Sequence, residues 1–386
     1  MAPELYLDHA ATSPLRRECR ALMAEVAETT WANPSSPHAA GRRARAVVER
    51  ARRQIAAVLG ALPAEIVFTS GGTEANNLAI AGTAHARPER RHLVASAIEH
   101  HSVLEACRAL EREGYALSLV APDGDGIVPA ERVLSALRPD TALCCLMLAN
   151  NEVGAVQPVA EVARGCRAAG IPFLVDAVAA AGRLAVRVPD IGADLLTLSA
   201  HKFGGPKGVG VLYVGAGREL APLVHGGGQE RRWRPGTENV PAIAAAGLAL
   251  ELAAAELGAT RALLQVRGTE LAAAVRAQCP GAIATGPEDP ILRLPGLVSF
   301  AFPDLDGDAL LAALDLLGVA AGSGAACTSG SRQPSHVLAA MGHGPAACRA
   351  ALRLSLGRET SSVDAAEAAR LIATAVERQT AVARGA

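Results

Sequence analysis

The chain has 386 residues, half of them hydrophobic, and 37 Lys and Arg against 38 Asp and Glu residues give it a formal net charge of −1. This length exceeds what one compact core accommodates and predicts one large and one small domain. A charge so close to zero gives no electrostatic drive towards nucleic acid or an anionic membrane, so a small-molecule substrate fits better.

The cysteine pattern and the N-terminal segment bear on the compartment. Eight cysteines are scattered along the chain and none forms a C-x-x-C pair, so we expect no zinc ribbon, no thioredoxin-like motif and no metal site. Scattered cysteines in a chain of this length indicate reduced thiols. Residues 1–14 lack the features of a signal peptide, and charges interrupt every long apolar run. The sequence therefore predicts a cytoplasmic protein that enters no membrane.

Apolar strand-like runs alternate with helix-like segments from residue 66 to residue 214. The predicted strands are Ile66–Thr69, His92–Ala97, Ala116–Ala121, Ala142–Ala149, Phe173–Asp176, Leu195–Ser199 and Val209–Val214. The predicted helices between them are Glu74–His85, Ser102–Glu113, Pro129–Leu137 and Val159–Ala169. This alternation predicts an α/β fold, with a mainly parallel sheet between helices and functional loops at the carboxyl ends of its strands.

The C-terminal third has a different pattern. A helical stretch from Val240 to Cys279, bent near Gly258, predicts a connector between domains. A small α+β layer is predicted after it from the strands Leu297–Phe302 and Arg349–Ser355 and the helices Gly307–Leu317 and Ser361–Arg384. We therefore expect residues 16–258 to form the large domain, and residues 1–15 and 259–386 to form the small one.

The segment 197–208, which reads TLSAHKFGGPKG, carries both lysines of the chain, Lys202 and Lys207. Lys202 follows an apolar strand, where partial desolvation lowers the pKa of the amine below its usual ~10.4 and makes it nucleophilic. Such an amine is able to form an imine with an aldehyde cofactor. The neighbouring Ser199 and His201 are able to donate to a phosphate. A solvated loop with a Pro-Gly turn is the alternative interpretation of this segment taken alone.

A second strand ends in a carboxylate, Asp176. An acid at this position is able to pair with a pyridinium nitrogen and keep it protonated, so that the ring stabilises a substrate carbanion. A helix N-cap or a structural ion pair is the alternative role for a strand-terminal Asp.

A glycine-containing turn follows the predicted strand Ile66–Thr69 and opens a helix. Gly71 and Gly72 allow the backbone to approach an anion closely, and the helix N-terminus favours a phosphate, to which Thr73 adds a hydroxyl. The turn is neither a Walker A loop nor a G-x-G-x-x-G motif, so ATP and NAD are disfavoured. An ordinary capped helix start is the alternative.

Two further predicted strands are followed by polar side chains. His100 and His101 come after His92–Ala97, where a histidine is able to stack on a cofactor ring and transfer protons near neutral pH. Their spacing alone does not choose between them. Asn151 follows another strand and is able to donate to a phenolic oxygen, although a polar turn is the simpler interpretation of that residue alone.

Two candidates lie near the C-terminus. The segment Gly322–Gly330 consists of small residues around Cys327, a composition typical of an exposed loop on which a cysteine is available as a nucleophile. Arg353 lies in a strand-like run, where it suits bidentate capture of a carboxylate. A surface salt bridge is the alternative role for Arg353.

Together these segments resemble the cysteine desulfurases of the class V aminotransferase, fold-type I pyridoxal-phosphate superfamily. The likeness extends nearly from end to end. Its most specific parts are the runs SAHK at residues 199–202 and ACTSGS at 326–331, and the runs GGGQER at 226–231 and RPGTENV at 234–240 also match. The resemblance implies a large domain with a mainly parallel mixed sheet, a small α+β C-terminal domain that carries the cysteine segment, and a homodimer with composite sites.

The resemblance also implies how pyridoxal 5'-phosphate is held. Lys202 carries the cofactor as a Schiff base and then moves the substrate Cα proton. Asp176 pairs with the pyridinium nitrogen, and His100, rather than His101, stacks on the ring. The residues that hold the phosphate are Gly72, Thr73, Ser199 and His201, with Thr237 reaching across from the neighbouring subunit.

The implied substrate is L-cysteine. Asn151 and Arg353 bind its carboxylate, and Asn151 also lies near the cofactor oxygen. Cys327 attacks the substrate sulfur and becomes a persulfide, alanine is released, and the sulfur passes to an acceptor protein in iron–sulfur cluster assembly or thiolation.

One position departs from the family pattern. The family has Gln three residues after the pyridinium aspartate, and this chain has Ala179. The loss of a hydrogen bond to a charged oxygen is worth ~1.5–3 kcal/mol, so we expect an altered pKa of the bound cofactor.

Selenocysteine lyase or another class V enzyme is the alternative on the same scaffold, and a sulfur-carrier scaffold with weak catalysis is the alternative of a different class.

Overall fold

The computed structural model describes residues 5–323 and 333–385. Its strands are β1 (Leu5–Tyr6), β2 (Ile66–Thr69), β3 (His92–Ser96), β4 (Ala116–Val120), β5 (Thr141–Cys145), β6 (Phe173–Asp176), β7 (Leu195–Ser199), β8 (Gly210–Val214), β9 (Ile283–Ala284), β10 (Leu297–Ala301), β11 (Val319–Ala320) and β12 (Ala351–Ser355). Its helices are α1 (Arg17–Thr29), α2 (Ala39–Leu59), α3 (Gly72–Ala86), α4 (His101–Arg112), α5 (Ala130–Ser135), α6 (Val159–Ala168), α7 (Val188–Ile191), α8 (Val240–Ala255), α9 (Leu257–Gln278), α10 (Gly307–Leu316), α11 (His336–Ala340), α12 (Pro345–Arg349) and α13 (Ser362–Gly385).

The central sheet has seven strands in the order β2-β8-β7-β6-β5-β3-β4. All neighbouring pairs are parallel except the two that involve β8. The predicted mixed, mainly parallel sheet is therefore confirmed. Because only β8 runs against the others, the carboxyl ends of β2, β3, β5, β6 and β7 meet at one edge, where a site is expected in such a fold.

Helices cover both faces of this sheet. Along β6 and β7, Phe173, Val175 and Leu196 belong to one buried cluster, whereas Leu174 and Leu195 belong to the cluster on the opposite face. This double burial explains why the strands read as nearly continuous apolar runs.

Helices α1 and α2 pack on α8. The sequence analysis did not predict either of them. The α2–α8 contact is close, because a Cβ placed on Gly247 of α8 would lie 2.8 Å from Ala51 Cα of α2. Helix α2 ends at Gly60, whose φ of 67° suits a left-handed C-cap.

The C-terminal residues form a second layer. Strand β10 lies between β9 and β12 in a small antiparallel sheet, and β1 pairs in parallel with β11. The apolar side chains of this layer, among them Leu271, Phe300 and Leu352, form a buried cluster of their own. An α+β layer was predicted here, and the domain boundaries remain a prediction.

The long helical stretch bends close to the predicted position. Helices α8 and α9 meet at Glu256, two residues before Gly258, and the Glu256 carboxylate accepts hydrogen bonds from Arg16 at 2.9 and 3.0 Å. Within the described ranges, no single helix is long and apolar enough to cross a membrane. The pair α8 and α9 meets that criterion only when both are counted together across their 69° bend.

Candidate active site

A cavity of about 390 Å³ lies at the edge where the parallel strands end. It is lined by Ala10, Ala11, Gly72, Thr73, Asn76, His100, Ser102, Met147, Asn151, Asp176, Val178, Ala179, Ser199, His201, Lys202 and Arg353. The structure thus brings together the predicted residues from β2, β3, β5, β6, β7 and β12. The volume of the cavity lies within the ~300–1,000 Å³ typical of small-molecule sites.

Lys202 is the last residue of a short 3-10 turn, Ala200–Lys202, which follows β7 and leads to the cavity. Its Nζ donates to the carbonyl oxygens of Ala10 at 2.5 Å and Ala11 at 2.9 Å. The amine is thus held by backbone acceptors of the N-terminal segment, which does not belong to the predicted large domain.

Asp176 is buried at the end of β6. Its Oδ2 accepts from Asn76 Nδ2 at 2.8 Å, and its Oδ1 accepts from the backbone N–H of Val178 at 2.9 Å. Each oxygen keeps acceptor capacity for a further donor in the cavity.

The start of α3 forms another part of the wall. Gly72 is its first residue, and a Cβ at Gly72 would lie 2.9 Å from Val178 Cγ2 and 3.5 Å from Ser199 Cβ. The first turn of α3 therefore lies tightly against the β6 and β7 loops. It presents free backbone N–H groups, a favourable setting for a phosphate.

His201 lines the same region as a neutral ring. Burial, together with the charges of Lys202 and Lys207, lowers the pKa of His201 to about 4. Its Nδ1 lies 3.1 Å from Thr12 Oγ1. At neutral pH this residue is thus a hydrogen-bonding group and not a cation.

The structure separates the two adjacent histidines. His100 lines the cavity and forms the N-cap of α4, where its Nδ1 accepts from Ser102 N at 3.1 Å. His101 does not line the cavity, and its ring lies 4.6 Å from that of His336, centroid to centroid.

Arg353 enters the cavity from β12 with a buried guanidinium. Its Nη1 donates to the Asn151 carbonyl at 3.0 Å and its Nη2 to Asp8 Oδ1 at 2.7 Å. Its Nε is buried without a hydrogen-bond partner. The Nε–H is therefore one donor of Arg353 that remains for a ligand, since buried donors of this kind normally find a partner.

Two predicted residues do not join the cavity wall. Thr237 is exposed and does not line the cavity. Cys327 lies outside the described residues. Each of the seven cysteines within them is buried.

The sequence analysis missed several residues that shape the site. Asn76 and Ser102 bridge Asp176 and His100, and Asp8 pairs with Arg353. Asn76 lies one helical turn beyond Gly72 and Thr73, so its placement on the same face of α3 was a usable signal. The pairing of Asp8 with a residue near the opposite chain end had no local signal.

Glu99, next to His100, is a buried acid. Its Oε1 accepts from Ser96 Oγ at 2.6 Å and from Met147 N at 2.8 Å, and its Oε2 is buried without a hydrogen-bond partner. Burial, with a contribution from the charge of Asp176, raises the pKa of Glu99 from 4.5 to about 8. The carboxyl group is therefore mostly neutral at pH 7.

We expect Glu99→Gln to flatten the pH dependence of stability. Because the folded-state pKa is raised, the neutral acid stabilises the fold below pH 4.5, and this contribution is lost as the pH rises towards 8. The loss amounts to at most about 5 kcal/mol, and Gln avoids it because it stays neutral. Urea unfolding between pH 5 and pH 9 measures the effect. Glu111→Gln, an exposed site on α4, is the control, and an equal slope for wild type and Glu99→Gln would contradict the prediction.

Comparisons with known proteins agree with this architecture. Residues 5–366 match the aminotransferase class-V family. The cysteine desulfurase IscS of Dictyoglomus turgidum is 41% identical over 365 residues, which is 94% of this chain and 92% of that protein. Among solved structures, a NifS-like protein superposes with a TM-score of 0.90 at 33% identity, over 97% of this chain and 100% of that one. The structure "SspA in complex with cysteine" has a TM-score of 0.79 at 35% identity, covering 91% and 98%.

This chain belongs to the aminotransferase class-V family. Within that family, its similarity extends over nearly the full length of proteins that are named cysteine desulfurases.

Proposed function

We propose that this protein is a pyridoxal-phosphate-dependent cysteine desulfurase that converts L-cysteine to L-alanine and transfers the sulfur to Cys327. The observation that carries the proposal is the convergence of three groups on one cavity. These are the amine of Lys202, the buried carboxylate of Asp176 and the guanidinium of Arg353. They suit an aldehyde, a pyridinium nitrogen and a substrate carboxylate respectively.

The cavity residues fit pyridoxal phosphate. Asp176 has acceptor capacity left for a ring N–H, and the α3 N-terminus with Thr73, Ser199 and His201 offers donors for a phosphate. When bound, the cofactor supplies a protonated ring that stabilises negative charge at the substrate Cα.

The chain's own residues would then bind and orient L-cysteine. Arg353 has its Nε available for the substrate carboxylate, and the Asn151 side chain lines the same wall. Lys202 Nζ would move a proton at the substrate Cα. The structure titled "SspA in complex with cysteine" contains this amino acid in a relative of 35% identity.

The sulfur step is assigned to Cys327. The seven described cysteines are buried, and burial raises the pKa of Cys19, Cys279 and Cys348, which leaves these thiols poor nucleophiles. The Cys327 thiolate attacks the substrate sulfur. The substrate C–S bond breaks with its electrons remaining on carbon, which then takes a proton. L-Cysteine and the thiol thus yield L-alanine and a persulfide, and an acceptor protein takes up the sulfur.

We further propose a homodimer in which Thr237 serves the phosphate site of the partner subunit. The exposure of Thr237 supports this arrangement, because a hydroxyl that is exposed and lies outside the cavity of its own chain is available to a partner subunit.

The test of the proposed function is turnover of L-cysteine. We expect the purified protein, with pyridoxal phosphate and a reductant, to release alanine and sulfide in equal amounts, and Cys327→Ser to release no sulfide. Selenocysteine lyase activity is measured in parallel with L-selenocysteine. Preference for selenocysteine, or transamination without sulfide, would overturn the assignment, and absence of any turnover would favour a sulfur-carrier scaffold.

Ala179 offers a separate test of the site. It lines the cavity where the family has a glutamine that donates to the cofactor's phenolic oxygen. We expect Ala179→Gln to shift the pKa seen in an absorbance titration of the cofactor-loaded protein, because one hydrogen bond to a charged oxygen is worth ~1.5–3 kcal/mol. Ala180→Gln is unsuitable as a control because Ala180 is fully buried, so Ala179→Leu serves instead. Identical pKa values of the bound cofactor in wild type and Ala179→Gln would contradict this prediction.

A further inference from the structure

A chain of buried hydrogen bonds joins Asp176 to His100. Thr197 Oγ1 donates to Asn76 Oδ1 at 2.7 Å, and Asn76 Nδ2 donates to Asp176 Oδ2 at 2.8 Å and to Ser102 Oγ at 2.9 Å. Ser102 Oγ in turn lies 2.8 Å from His100 Nδ1. Thr197, Asn76 and Ser102 are buried, so water does not compete for these bonds.

The direction of each bond is fixed by chemistry. The hydroxyl of Thr197 faces Asn76 Oδ1, which turns both Nδ2 hydrogens towards Asp176 and Ser102. Ser102 Oγ accepts one of them, so its own proton is available for His100 Nδ1.

The backbone N–H of Ser102, which is always a donor, also points to His100 Nδ1 at 3.1 Å. Two donors therefore face this nitrogen. A neutral ring in this setting has its Nδ1 unprotonated and its proton on Nε2.

We propose that Asn76 and Ser102 are positioning residues that keep Asp176 an acceptor and His100 a donor through Nε2. The inference rests on the proposed function for its catalytic meaning, because it assigns His100 to donating a hydrogen bond through Nε2 in the cavity and not to removing a proton. The side-chain amide of Asn76 thereby determines the hydrogen-bonding roles of Asp176 and His100, the two residues assigned to the cofactor ring.

The electrostatic surroundings agree with a neutral ring. Burial lowers the pKa of His100, the Asp176 charge opposes this, and Lys202, His101 and His336 add to the lowering. Protonation would also place a hydrogen on Nδ1 against two existing donors, so the hydrogen bonds and the desolvation act in the same direction.

The experiment is nitrogen-15 NMR of the histidine rings in the full-length protein, with the cofactor bound and after its removal. His100→Gln assigns the His100 signals, and His101→Gln is the matched control at the adjacent position. We expect the shifts of a neutral ring protonated at Nε2 at pH 7. Signals of a ring protonated at Nδ1, or of a fully protonated ring, would overturn the proposal.

Variants of Ser102 test the relay itself. Ser102→Ala removes the hydroxyl donor but keeps the backbone N–H, so we expect the proton affinity of His100 to rise about threefold to tenfold, as for the loss of one hydrogen bond. Ser102→Thr, which keeps the hydroxyl, should restore the wild-type titration of His100. An unchanged His100 titration in Ser102→Ala would overturn the role of Ser102.

The two proposals fail separately. The NMR result without cofactor does not depend on turnover, so a protein inactive towards L-cysteine can still show the predicted ring state. Conversely, an active desulfurase with His100 protonated at Nδ1 would reject only the positioning role of Asn76 and Ser102.

Discussion

Replacing Lys202 with alanine is expected to abolish the visible absorbance of covalently held pyridoxal phosphate and to lower turnover of L-cysteine by at least ~10²-fold, the lower range for loss of a positioned proton-transfer group. The reason is that Lys202 supplies the only amine found among the residues lining the described cavity, and without it the aldehyde has no nucleophile on the protein.

The chain offers a matched control for this prediction. Lys207, the only other lysine in the sequence, is exposed in the same loop, so Lys207→Ala should keep both absorbance and turnover. Borohydride reduction followed by mass spectrometry locates the cofactor. A Lys202→Ala protein that still retains cofactor covalently after reduction would contradict the assignment.

Cys327→Ala separates the two halves of the reaction. It should keep the absorbance lost in Lys202→Ala, because the cofactor site is intact, and it should release no sulfide. A thermal melt of Lys202→Ala is needed beside these assays, since Lys202 Nζ also holds the carbonyl oxygens of Ala10 and Ala11.

The central strands were the most predictable part of the fold. The predicted bounds of β2, β6 and β7 agree with the structure residue for residue, because strands buried on both faces read as unbroken apolar runs. Asp176 and Ser199 lie at the ends of these strands, on one edge of the sheet. Much of the candidate site could therefore be predicted from where the strands end. The fifth strand was predicted too long, since it ends at Cys145 although the apolar run continues.

Helix α2 shows why other elements were missed. The arginines of its sequence give it a polar appearance, yet Ala44, Val48, Ile55 and Leu59 recur at helical spacing and are fully buried. The signal was present, but tertiary packing on α8 decided the outcome.

The position of Asn76 on the cavity face of α3 was open to sequence reasoning, but its hydrogen-bond partners were not. Asn76 contacts Ser102 and Asp176, which lie 26 and 100 residues away in the chain. Such contacts depend on how α3 packs over β6 and α4, and no local propensity encodes them.

A buried ion pair, Arg52–Glu230, ties α2 to the segment that carries Thr237. Arg52 Nη1 and Nη2 donate to the two Glu230 oxygens at 2.9 and 2.6 Å, and Phe68 N donates to Glu230 Oε2 at 2.8 Å. The side chains of Arg52 and Glu230 are only 6% and 2% exposed. The pair also holds strained backbone, since Glu230, Arg231 and Arg232 have φ values of 43°, 60° and 68°.

We therefore expect Glu230→Ala to lower the free energy of unfolding by up to about 3–5 kcal/mol, because it leaves the buried Arg52 charge with the partly exposed Glu49 as its remaining ionic partner. Removing both charges in Arg52→Met/Glu230→Leu should recover much of this loss, since the uncompensated charge is then absent. Urea unfolding at pH 7 measures both effects.

The exposed pair Arg108–Glu105 on α4, with side chains 46% and 56% exposed, provides the control. Glu105→Ala should cost less than about 1 kcal/mol, as is usual for surface ion pairs. If Glu230→Ala cost no more than Glu105→Ala, the pair would not anchor the segment. If the double variant were as unstable as Glu230→Ala, the loss would come from the strained backbone and not from the buried charge. The first result would leave the pairs Arg45–Glu238 and Arg234–Glu74 as the anchors of the segment that carries Thr237.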